Sequence, residues 1–79
     1  MKASITVHGF LKHSVPENYR SGTVELDLKG ATSIYELLKD YLFIDTPNTT
    51  VLINDVIEKR DYYLRDGDVI QIISPIPDG

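Results

Sequence analysis

Leu64-Arg65-Asp66-Gly67-Asp68-Val69-Ile70-Gln71-Ile72-Ile73 is the stretch that sets the architecture. Its first half is turn chemistry, because Gly67 between two aspartates can take the positive φ that a tight turn requires. Its second half, Val69 to Ile73, is apolar on nearly both faces, as expected of a strand with a neighbour on each side, and is therefore placed centrally in a sheet. If Ile70 and Ile72 face the helix, alternation sends Val69, Gln71 and Ile73 outward, the alternative being that a twist or bulge buries some of them.

The neighbours of this strand are legible upstream. From Ala3 to Phe10 the odd positions Ala3, Ile5 and Val7 are apolar and Ser4, Thr6 and His8 polar, the two-residue period of a strand buried on one face. If the alternation persists, His8 and Phe10 join Val69, Gln71 and Ile73 on the open side. Residues Leu11 to Gly22 show no sustained period and read as a long connection. Val24, Leu26 and Leu28 then alternate with Glu25, Asp27 and Lys29, which predicts a second strand over Thr23 to Lys29, antiparallel to the first.

After Gly30 the period changes. Ile34, Leu37, Leu38, Tyr41 and Leu42 form one stripe of an α-helix; Thr32 or Ser33 can cap it, and Ser33 with Glu36 three residues later fits a capping box. Asp45, Pro47 and Asn48 end the helical segment. Val51 to Ile53, the Asn54-Asp55 turn and Val56-Ile57 predict a small hairpin, and Lys59 to Arg65 a connection anchored by Tyr62, Tyr63 and Leu64. The expected fold class is α+β, a mixed sheet packed on one helix.

The 79-residue chain is long enough for one core and too short for two. With 42% hydrophobic and 25% charged residues it has an ordinary globular composition. A net charge of −4 and eight scattered basic residues argue against nucleic acid and against anionic membrane surfaces. The sequence holds no bilayer-length apolar run and no signal-peptide block, so a cytoplasmic location is expected. The absence of cysteine excludes disulfides, thiolate metal sites and thiol nucleophiles.

The candidate functional element is the arm Ser74-Pro75-Ile76-Pro77-Asp78-Gly79. Pro75 and Pro77 lack the N–H groups that would extend a ladder, so the arm is expected to leave the sheet. Residues 1–73 are taken as the domain and 74–79 as a flexible tail. At about 3.3 Å per residue the arm reaches roughly 20 Å, enough to enter a partner's site.

In these residues the chain resembles the ubiquitin-like sulfur carriers of molybdopterin and thiamine-thiazole synthesis, which have the β-grasp fold. The resemblance lies in Val51-Leu52-Ile53-Asn54-Asp55, in Leu64-Arg65-Asp66-Gly67-Asp68-Val69-Ile70, in Ala31-Thr32-Ser33-Ile34 with Leu37-Leu38, and in the final Gly79. It implies that an E1-like adenylating enzyme activates the Gly79 carboxylate with ATP, and that a sulfur donor then displaces AMP to leave a thiocarboxylate. It further implies a sulfur-accepting synthase large subunit as partner, ATP bound only by the enzyme, and no cofactor held by the chain itself. An ionised α-carboxyl with a pKa near ~3.5, on a residue without a Cβ, suits attack within a narrow channel.

The family's tail ends in two glycines, whereas Asp78 stands in the first place here. A carboxylate about 6 Å from the reacting one would oppose an incoming phosphate by roughly 0.7 kcal/mol in water and about 3 kcal/mol at an effective dielectric of 20. Asp78 therefore favours a second reading, a β-grasp interaction domain that has lost carrier function and acts through its sheet face. A third has a natural terminus other than Gly79. The expected partner surface is Phe10, Val69, Gln71 and Ile73, which with a regular first strand makes a semi-apolar patch near the root of the arm.

Other chemistry finds little support. His8 and His13 do not share a face and have no acidic companion, so no metal site is assigned. Neither Ser14 nor Ser21 sits beside a base and an orienting group, so no catalytic residue is assigned. Lys59-Arg60 reads as a solvated edge.

Overall fold

The computed structural model describes residues 1–44 and 49–74. Strands β1 (Lys2–Val7), β2 (Thr23–Asp27), β3 (Thr50–Ile53), β4 (Val56–Ile57) and β5 (Val69–Ile73) form one mixed sheet in the order β2-β1-β5-β3-β4. The central pair, β1 and β5, is parallel, and the remaining pairs are antiparallel. One helical segment covers one face. It begins as α1 (Ile34–Glu36) and continues as a π-helical stretch, Leu37–Tyr41.

The central placement of β5 follows from its composition. Ile70 lies opposite Ile5 on one side and Ile53 on the other, and all three are at most 3% exposed. Ile34, Leu37, Leu38 and Leu42 are buried against this layer as the helical stripe requires, and Tyr41 packs partly buried at its margin.

Ser33 caps the helix. Its Oγ accepts the Glu36 N–H at 3.1 Å, and its hydroxyl is bonded to Glu36 Oε1 at 3.2 Å. The glutamate thus returns to the serine hydroxyl rather than to its backbone N–H. The next orphan donors are satisfied by the connection before β5: Ile34 N–H donates to Tyr62 O and Tyr35 N–H to Arg60 O, beside a bridge between Ser33 and Tyr63.

Two expectations are corrected. The first strand ends at Val7 and not at Phe10, because Gly9 turns the chain at φ +68° into a 3₁₀ helix, Gly9–His13. The stretch from Leu11 to Gly22 is the long connection expected, but it holds helical turns. That turn and a second one, Glu17–Tyr19, deliver Leu11, Val15 and Tyr19 to the core at 8%, 3% and 6% exposure. Their four-residue spacing was the signal available in the sequence. The second strand stops at Asp27, although Leu28 remains buried and its N–H donates to Met1 O.

The turns behave as their residues dictate. Asn54 and Asp55 have φ of 52° and 70°, the left-handed pair of a type I′ hairpin turn, and Gly67 has φ of 87°. Asp68 ties these turns together. It is 5% exposed, and its carboxylate accepts from Asn54 Nδ2, Arg65 N–H and the Tyr62 hydroxyl at 3.0, 2.8 and 3.1 Å.

Candidate interaction surface

With the helix on one side, the outward residues of the strands meet on the other. Strand register lines up Thr23, Thr6, Gln71, Leu52 and Ile57 as one row across all five strands. Val69 lies opposite Ser4, and Ile73 opposite Thr50, on either side of that row. Ile57 is 70% and Val69 47% exposed, while Leu52, Gln71 and Ile73 are half-buried. The result is an apolar patch of Leu52, Ile57, Val69 and Ile73 around a polar centre.

Gln71 is that centre. Its side-chain oxygen lies 3.2 Å from His8 Nε2, which donates to it in the tautomer protonated there, and its Nε2 donates to Asp55 Oδ1 at 3.3 Å. The amide is therefore held in one orientation by groups from both flanks, which gives the open face a defined pattern of donors and acceptors. His8 has left the strand, yet its N–H still donates to Ile72 O, which keeps its ring over the open face.

Val69, Gln71 and Ile73 stand where their parity placed them. Phe10 is 59% exposed, but it lies on the 3₁₀ turn and not on a strand row. Leu52 and Ile57 belong to the patch and were missed, because only the pairing of β3 with β4 and β5 reveals that they face the same way as Gln71. Pro75, Ile76, Pro77, Asp78 and Gly79 lie outside the described residues. Among the described residues no cluster of three His, Cys, Asp or Glu side chains could hold a metal, and no helix is long and apolar enough to cross a membrane.

The sheet order, the single covering helix and the open second face define a ubiquitin-like β-grasp protein. Solved structures share this fold: SAMP1 from Haloferax volcanii superimposes with a TM-score of 0.73 at 15% identity, with 100% of each chain covered. A protein assigned as molybdopterin converting factor subunit 1 of Pyrococcus furiosus gives 0.70 at 14% identity, covering 96% of this chain and 99% of that one. The complex of subunits 1 and 2 of the molybdopterin-converting factor from Helicobacter pylori contains a chain that gives 0.56 at 19% identity, with 100% of each chain covered. No curated protein matches the chain. The sequence matches the ThiS family over residues 14–77, most of its length, and the chain belongs to that family.

Proposed function

We propose that the protein is a sulfur carrier whose Gly79 carboxylate is adenylated and converted to a thiocarboxylate for sulfur transfer in molybdopterin or thiamine synthesis. The observation that carries this is membership of the ThiS family on a β-grasp body whose last described strand is followed in the sequence by Ser74-Pro75-Ile76-Pro77-Asp78-Gly79. A carboxylate oxygen of Gly79 attacks the α-phosphate of ATP, a P–O bond forms and pyrophosphate leaves. A sulfur nucleophile then attacks the acyl carbon, and AMP leaves with the electron pair of the broken C–O bond. Both steps take place on the E1-like adenylating enzyme, which binds the ATP. The chain supplies the carboxylate, the reach of the arm and the docking face, and passes its sulfur to a synthase large subunit.

The test is to incubate the purified protein with ATP, its host's adenylating enzyme and a sulfur donor, and to measure intact mass beside an Asp78→Gly variant. The expected outcome is a gain equal to exchanging oxygen for sulfur in both proteins, faster in the variant by up to about a hundredfold, because the opposing carboxylate is gone. Gain in neither overturns the proposal.

Asp78 favours one second function, an interaction domain acting through the open sheet face. A mass gain in the variant alone would indicate a carrier function lost at Asp78. Both functions use Ile73, so Ile73→Asp is expected to leave the domain folded at a cost below about 1 kcal/mol while abolishing partner binding in a pull-down or calorimetric assay. Unfolding of the isolated variant would show that Ile73 serves the core and not a partner.

A further inference from the structure

Both phenylalanines of the chain are exposed, Phe10 at 59% and Phe43 at 69%, although phenylalanine is among the residues most often buried. Phe43 also has φ of 55°, where an L side chain crowds the following carbonyl oxygen. The conformation comes from the way the helix ends. Leu42 N–H reaches back to Leu37 O at 3.1 Å, the closure of the π-helical turn, and Ile44 N–H to Leu38 O at 2.8 Å, a seven-residue closure that reverses the chain at Phe43. Glycine is the usual residue at the reversal. Ile44 and Leu38, the two ends of that bond, are both core residues. Phe43 therefore brings a strained backbone and a ring that the core does not use.

Its place in the fold suggests why. The helix starts against residues 60–64, which lead to Asp68 at the beginning of β5. From there residues 34–42 carry the chain away from that contact. Beyond Phe43 the chain enters β3 at Thr50, opposite Ile73, the last residue of β5. Phe10 closely follows β1, whose last residue, Val7, lies opposite Ile72. The two exposed rings thus belong to the end of the sheet at which β5 finishes.

We propose that Phe43 is a docking anchor that enters an apolar pocket of the adenylating enzyme beside the opening that takes the arm. The proposal rests on the carrier function above. A partner that admits the arm must close around this end of the domain, and a ring projecting there gives the large, rigid contact area typical of the few residues that dominate an interface. Strain kept at a position where glycine would serve the fold better is the mark of such a site.

The experiment compares wild type, Phe43→Gly and Phe43→Leu as substrates of the host's adenylating enzyme, followed by pyrophosphate release, alongside thermal unfolding of each protein alone. Phe43→Gly is expected to raise the melting temperature by about 4 °C through relief of strain. It is also expected to raise the KM for the carrier about thirtyfold with kcat unchanged. Phe43→Leu, which keeps an apolar side chain, should lie within about fivefold of wild type in KM. An unchanged KM for Phe43→Gly, with wild type turned over normally, overturns the anchor and leaves the carrier function standing. A melting temperature that does not rise removes its physical basis and overturns it too. Failure of wild type itself to be adenylated defeats the carrier function, and the anchor with it.

Discussion

Asp68→Ala is expected to destabilise the domain by about 3 kcal/mol, measured by urea unfolding. Three donors converge on the buried carboxylate, and the substitution leaves the Asn54 amide, the Arg65 N–H and the Tyr62 hydroxyl without their acceptor. Hydrogen bonds to a charged group contribute about 1.5–3 kcal/mol each, and water recovers part of this at the exposed donors. A domain of this size has roughly 4–12 kcal/mol in all, so the loss is a large share. Asp68→Asn keeps the shape and one acceptor oxygen and should cost about half as much. A loss below about 1 kcal/mol for Asp68→Ala would show that the turns before β4 and β5 hold without this node.

The same carboxylate leaves a trace in titration. Burial of the Tyr62 phenol, and then its hydrogen bond to Asp68, raise its pKa above the usual 10.0. A raised value means that the native state favours the protonated phenol. The associated stability is fully present below the unfolded pKa and is lost as pH climbs through the folded one. In Asp68→Ala the ultraviolet titration of Tyr62 should move back towards the ordinary value.

Ile70→Ala should be at least as damaging, at about 3–4 kcal/mol and a fall in melting temperature on the order of 15–25 °C. Ile70 is fully buried, and both of its cross-strand neighbours, Ile5 and Ile53, are core residues. Truncation opens a cavity between rigid strands that cannot collapse to fill it. Ile73, on the same strand with the opposite parity, is expected to tolerate even a charge. A small effect at Ile70 would mean that β5 is not the centre of the sheet.

Much of the fold was legible because strong local patterns coincided with tertiary roles. The two-sided apolar run Val69 to Ile73, the alternation through Val24 and Leu26 and the left-handed pair Asn54-Asp55 kept their local preferences in three dimensions, and the stripe from Ile34 to Leu42 met the core although its second half winds as a π-helix. The region after Val7 was misjudged because a continuing alternation, His8 and Phe10 included, was read straight through Gly9, which takes the left-handed conformation and ends the strand. Leu11, Val15 and Tyr19 lay in a segment rich in polar and turn residues, where weak propensity hid a four-residue apolar spacing.

The sequence determined the α+β class, the central strand, the capped helix, the hairpin turn and the parity of Val69, Gln71 and Ile73, since each depends on side chains within a few positions of one another. Tertiary structure alone decided that Leu52 and Ile57 complete the open face, that His8 and Asp55 orient Gln71, and that Asp68 gathers three donors. It also decided that an exposed Phe43 caps the helix where glycine would be easier. Those facts join residues far apart in the chain, through strand register and the path of the backbone, which no local periodicity encodes.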